Sequence, residues 1–123
     1  GLRVEFDDQD QAHLTGQRPD GALVPVSGMS TGTADQLYLA LRVASVEDYL
    51  ERADALPFVA DDLFINFDDD RAAAGFRVLG KLAETTQVLF FTHHQHLVDI
   101  AHSTLGSSAH ITNLAGAGVE IAA

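Results

Sequence analysis

"LPFVADD", Leu56 to Asp62, is a short apolar run that stops at two acids. An apolar run of this length, bounded by polar residues, reads as a parallel strand buried inside a sheet, here Leu56–Ala60. "QVLFFT", Gln87 to Thr92, is a second run of the same kind and leads straight into His93 and His94. Between the two runs, Asp69 to about Glu84 keeps helical spacing. Thr92 and Gln95 fit a capping box for a further helix through about His102. Upstream, Ala34 to about Ala53 reads as a helix, with Thr33 and Gln36 as its capping box. Helices alternating with buried strands predict an α/β fold, a mostly parallel sheet flanked by helices.

The flanks read differently. "LRVEFDD" (Leu2–Asp8) alternates apolar and polar residues as an edge strand does. "AHLTGQRPDGALVPV" (Ala12–Val26) predicts an N-terminal β-hairpin that turns at Arg18-Pro19-Asp20-Gly21. "AHITNL" (Ala109–Leu114) and "GVEIAA" (Gly118–Ala123) read as two short closing strands.

Composition bounds the function. The 123 residues suit one domain, and 46% of them are hydrophobic, enough to bury a core. Gly1 in place of Met suggests a chain that begins inside a longer protein or after a cleavage. There is no cysteine, so disulfides and thiolate metal sites are excluded and a cytoplasmic location is expected. No apolar run has the length of a membrane span. The net charge is −11, with Lys81 the single lysine. Such a surface repels phosphate backbones, which argues against this segment as a nucleic-acid interface in its own right.

Three stretches carry chemistry. In open α/β sheets ligands sit beyond the carboxyl ends of the strands, where the two buried runs put Asp61-Asp62 and Thr92-His93-His94. Acids at a strand tip can be solvated helix caps. They also suit a hydrolytic ATPase pair, in which one carboxylate holds the water shell of Mg2+ and the next positions the attacking water. A histidine at the neighbouring tip can be a satisfied residue at a helix start, or can hydrogen-bond a γ-phosphate. "HHQH" (His93–His96) makes a poor zinc site on this reading: cysteine is absent, adjacent histidines are expected to point apart, and Asp99 is the one carboxylate at helical spacing. The third stretch is the cluster Ser30-Thr31-Gly32-Thr33 ahead of the first helix. One capping threonine would suffice there. The surplus of small residues favours close approach of a phosphate to backbone N–H groups.

Taken in order, these stretches resemble the second lobe of ABC-type ATPase heads, in the SMC, RecF and RecN-like group and closest to the YhaN-like ATPases. "MSTGTADQLYLALRVA" (Met29–Ala44) is similar to the signature motif, "LPFVADD" to Walker B, "LFINFDDD" (Leu63–Asp70) to the D-loop and "VLFFTHH" (Val88–His94) to the switch-histidine motif. The likeness covers roughly Val26 to Ile100. It departs from the usual pattern at Thr31, where glycine is usual, at Thr33, where glutamine is usual, and at Asp62, where glutamate is commoner and reaches one methylene further. "GFRVLGKL" (Gly75–Leu82) imitates a phosphate-binding loop but is rejected, because Leu82 stands where Ser or Thr would hold Mg2+ and the segment lies in a helical pattern.

The resemblance implies the C-terminal part of a P-loop NTPase, whose Walker A lobe lies upstream across a coiled coil. It implies ATP and Mg2+ in the complete head, with Asp61 on the metal through water and Asp62 and His93 as catalytic residues. Asn66 and Asp68 would be D-loop residues. Ser30, Thr31, Gly32 and Thr33 would touch a nucleotide held by a second head of a homodimer. DNA would engage other parts of the protein, in maintenance or repair, and the segment alone would be inactive. Two other readings stay open: a non-catalytic dimerisation or regulatory module of the same fold, and a small His/Asp metal-dependent hydrolase.

Overall fold

The computed structural model of the chain describes residues 1–114. They form two compact units, Gly1–Val46 and the part from Glu47 onward.

The first unit begins with an antiparallel meander, β1 (Leu2–Phe6), β2 (Ala12–Gln17) and β3 (Leu23–Pro25), in that spatial order. Asp7 makes the first turn. Its Oδ1 accepts the backbone N–H groups of Gln9 and Gln11, both at 2.9 Å, and its Oδ2 lies 2.7 Å from His13 Nε2. The second turn is the expected one. Gly21 supplies a φ of +87° and donates its N–H to the Arg18 carbonyl at 2.9 Å. Pro25 has no N–H to donate, and its strand is the free edge of the meander, where that loss is tolerated. One 3-10 turn (Val26–Gly28) then leads to α1 (Thr31–Leu50), which carries the chain out of this unit.

In the second unit β4 (Phe58–Asp61) and β5 (Val88–Phe91) run parallel, with Phe58 opposite Val88 and Asp61 opposite Phe91. The hydroxyl of buried Thr86 donates to the Leu56 carbonyl at 2.6 Å and ties the two strand entries together. The crossover between them is α2 (Asp69–Leu82), which buries Ala72, Gly75, Phe76, Leu79 and Leu82, the three- and four-residue spacing of one helical face. Its start is capped by the Asp68 side chain, which accepts the Arg71 N–H at 2.9 Å. α3 (Gln95–Leu105) packs on α2. Gly80 lets the two helices approach: a Cβ there would lie 2.8 Å from Leu105 Cδ2.

Phe64 is the hub of this unit. It is 1% exposed, and its ring meets Phe67, Phe76 and Phe90 at centroid separations of 5.1, 4.9 and 5.0 Å. The interplanar angle to Phe76 is 85°, the edge-to-face geometry that aromatic quadrupoles favour.

Several expectations are corrected. The sheet is not mostly parallel. Among the described residues three strands are antiparallel and only two are parallel. The parallel pair is not buried on both faces either. The helices cover the side of Phe58, Ala60, Val88 and Phe90, while Val59 is 59% exposed and Leu89 and Phe91 share its open face. α1 begins at Thr31, so Thr33 lies within its first turn rather than at its cap. Thr92 and Gln95 form no capping box. α3 starts at Gln95, its cap position is His94, and Thr92 is engaged elsewhere. Residues 109–114 include no strand, and the second closing strand lies outside the described residues. Gly75–Leu82 lies inside α2, in keeping with its rejection as a phosphate loop.

Gly75 gives a test of this packing. A Cβ there would sit 2.5 Å from Phe64 Cζ. Helix propensity alone predicts that Gly75→Ala stabilises by about 0.5–1 kcal/mol. Overpacking a filled core costs about 1–3 kcal/mol. The steric cost exceeds the propensity gain, so urea denaturation should show net destabilisation. A more stable variant would contradict the Phe64 packing.

Candidate active site

Because β4 and β5 are parallel, their carboxyl ends lie side by side. Asp61 is the last residue of β4 and is exposed, and its carboxylate has no hydrogen-bond or ion-pair partner among the described residues. Asp62 follows with a φ of +45°, a left-handed conformation that costs a non-glycine residue energy. Its N–H still donates to the Phe91 carbonyl at 2.9 Å, so the bend comes one residue after the strand. The bend aims the Asp62 side chain at the end of β5.

Both carboxylate oxygens are used there. Thr92 Oγ1 donates to Asp62 Oδ1 at 2.7 Å, and His93 Nδ1 lies 2.6 Å from Asp62 Oδ2. Thr92 Oγ1 in turn accepts the His94 N–H at 3.1 Å, which fixes the direction of its own hydrogen. The Thr92 hydroxyl is the main reason that the Asp62 carboxyl is held below the ordinary aspartate range. Partial burial pulls the other way, while the charge of His93, its hydrogen bond and the charge of His94 add to the lowering. Asp62 is therefore a carboxylate at neutral pH, with 26% of its side chain open to solvent.

His93 is outermost, 72% exposed. His94 lies deeper, and its Nε2 is shut off from solvent with no hydrogen-bond partner. The two rings do not point apart as expected. Their centroids are 3.9 Å apart with a 39° tilt, because His94 sits at the cap of α3 rather than within a regular element. Asp62, His93 and His94 each offer a ligand atom, and these atoms lie within 4.8 Å of one another. Asp99, the carboxylate nearest in sequence, is engaged with Gln95 at 3.0 Å, and His96 pairs with Asp69 at 2.8 Å. The group that joins the histidines comes from the other strand tip. His94 is the residue that sequence reasoning undervalued. The available signal was the pairing of two parallel strand ends that finish in Asp-Asp and Thr-His-His.

The remaining candidates lie elsewhere. Asn66 is in the turn after β4, and Asp68 is occupied as the cap of α2, with Arg71 Nε 3.4 Å from its Oδ2. In the first unit the exposed Ser30 precedes α1. Its Oγ lies 2.9 Å from Thr33 Oγ1 and accepts the Thr33 N–H at a long 3.4 Å, so Ser30, not Thr33, holds the cap. Thr31 is exposed, Thr33 is half-buried and Gly32 is buried in the first turn. No helix among the described residues is long and apolar enough to cross a membrane.

No family model matches the chain. Its fold resembles that of an SMC ATPase. It superposes with a TM-score of 0.66 on a solved structure from work on ATP-driven dimerization and DNA-stimulated activation of SMC ATPases, covering 85% of this chain and 61% of that one at 13% identity. In sequence it is similar to the uncharacterized protein YhaN of Bacillus subtilis (strain 168), at 35% identity over 102 residues. That match takes in 82% of this chain and 10% of YhaN, so the chain spans about a tenth of that relative's length.

The Thr92 contact is directly testable. Thr92→Val removes the donor to Asp62 and keeps the shape. Carboxyl carbon NMR should show Asp62 titrating below the ordinary aspartate value in the parent and moving up toward it in the variant. With a depressed folded value, this group's contribution to stability is present above the unfolded pKa and is lost as pH falls through the folded one. An unmoved titration would contradict the contact.

Proposed function

We propose that the chain is the C-terminal lobe of an SMC/RecN-like ATPase head, of the YhaN-like kind, and that the two units belong to this one lobe. The complete head would hydrolyse ATP between two engaged copies. The observation that carries the reading is the Asp62 carboxylate, bonded at once to Thr92 and His93 between the carboxyl ends of two parallel strands. The SMC-head fold and the likeness to YhaN support it.

The roles follow from the chemistry of each group. Asp61 is an exposed oxygen donor without a histidine beside it, which suits a hydrated Mg2+. Bound Mg2+ would offset the charge that develops on the β- and γ-phosphates of ATP. Asp62 would orient the attacking water. Its lowered pKa makes it a weak base, so positioning outweighs proton abstraction in this reading. Exposed His93 would reach the γ-phosphate and, through Nδ1, couple its presence to Asp62. Asn66 and Asp68 would act in the D-loop, Asp68 while capping α2.

Ser30, Thr31, Gly32 and Thr33 would meet the nucleotide of the other head with a hydroxyl and the N–H groups of the first turn of α1. The Walker A lobe of the same protein would supply the phosphate-binding loop and its lysine. DNA would contact the full-length protein outside this acidic segment, in DNA maintenance or repair, in the cytoplasm. By itself the segment should neither bind nor hydrolyse ATP.

In the complete protein Asp62→Asn should leave ATP binding intact and slow hydrolysis by about 10²-fold or more, the scale of a lost positioned acid or base. Asp61→Asn should instead weaken Mg2+-dependent binding. Binding by equilibrium titration and phosphate release by a coupled assay separate the two. Near-parental turnover in Asp62→Asn would contradict the assignment.

A further inference from the structure

We propose that Asp62, His93 and His94 form a Zn2+ site, in which the ion is held by one carboxylate oxygen and two imidazole nitrogens with a fourth position open to water. The three ligand atoms lie within 4.8 Å of one another. Tetrahedral zinc with N and O ligands needs such atoms about 3.3 Å apart, since each bond is about 2.0–2.1 Å long. The Asp62 Oδ2 and His93 Nδ1 atoms start 2.6 Å apart. They must separate by less than an ångström, roughly, for the ion to take the place of the hydrogen they share. Nδ1 is free to take the ion once the ring carries its proton on Nε2, which the 72% exposure of the side chain leaves solvated.

His94 gives the independent observation. Its Nε2 is shut off from solvent and has no hydrogen-bond partner, a cost that a nitrogen normally avoids. That unpartnered nitrogen belongs to one of the three residues whose ligand atoms converge, and on this proposal the ion is its partner. The outer shell is also in place. Thr92 Oγ1 holds Asp62 Oδ1 at 2.7 Å and leaves Oδ2 toward the imidazoles, the kind of support that orients a ligating carboxylate.

The donor set separates two ions on neighbouring residues. Mg2+ prefers oxygen ligands and keeps its waters, which suits Asp61. Two imidazoles and one carboxylate with an open position match zinc. Occupancy by zinc would remove Asp62 and His93 from ATP hydrolysis, so on the function proposed above the site would be inhibitory. The binding claim itself does not rest on that function.

Calorimetric titration of Zn2+ into the chain should show one site. His94→Ala, His93→Ala and Asp62→Asn should each abolish it. Thr92→Val should weaken it by about 10- to 100-fold, the usual effect of losing an outer-shell partner. His96→Ala should leave it unchanged, and Mg2+ should not compete for it. Circular dichroism on each variant checks the fold. Intense visible bands on loading with Co2+ in place of zinc would report tetrahedral coordination without any substitution. Absence of Zn2+ binding to the folded chain, or parental binding by folded His94→Ala, would overturn the site. In the full-length protein Zn2+ should inhibit hydrolysis in the parent, and His94→Ala should escape that inhibition. Zn2+ binding that requires His94 but leaves hydrolysis untouched would uphold the site and remove Asp62 and His93 from the reaction.

Discussion

Asp62 leaves β4 in a left-handed conformation, and the second unit depends on what holds it there. A non-glycine residue does not adopt φ of +45° without compensation. Two interactions supply it, on either side of the bend. Two residues on, Phe64 is driven into the aromatic cluster beneath α2 and β5. At the bend, the Asp62 carboxylate accepts the Thr92 hydroxyl and meets His93. Burying an aromatic ring is worth about 1.5–3 kcal/mol. The buried ring and the carboxylate's contacts together hold the bend, and the bend presents the carboxylate. Folding and the candidate chemistry share one residue, which explains why an apparently costly aspartate stands where glycine would be easier.

Much of the second unit was legible in the sequence, because its signals are local. Apolar runs of strand length and helical spacing in α2 sit in short windows. The strand tips could be placed together once both strands were read as parallel. What escaped depends on neighbours in space. The open face of Val59, Leu89 and Phe91 could not be told from a buried one, since an apolar run looks the same whether one face or two are covered. Thr92 looked like a cap because Thr-x-x-Gln is a capping pattern, yet its Oγ1 accepts the N–H of His94, ahead of α3, and donates to Asp62, thirty residues upstream. α3 starts at Gln95 with His94 at its cap, and the rings of His93 and His94 lie together just ahead of it. In the first unit the error was one of register. Ser30 and Thr33 are both capping residues, and the helix used the earlier one.

Charge gives these sites a common logic. The chain carries a net −11, which opposes any anionic ligand that arrives without a cation. Its carboxylates are not equivalent. Asp7 and Asp62 are tied down by histidines and neutral donors and held below the ordinary range, whereas Asp61 stands at a strand tip with no partner among the described residues. An acidic surface of this kind suits a lobe that meets phosphate only through Mg2+ and through the helix start at Ser30–Thr33, the arrangement proposed for the complete head.

The central claim is that two different surfaces of this lobe serve two different nucleotides, the strand tips in one head and the Ser30 cluster in the other. Mixing two inactive full-length proteins tests it most directly, one carrying Ser30→Arg and the other lacking the phosphate-loop lysine of the Walker A lobe. In the mixed dimer both defects fall on one composite site and the second site is intact. The account predicts recovered ATP hydrolysis, up to about half of the parental rate per dimer if the two sites fire independently. No recovery from a mixture shown to heterodimerise would contradict it.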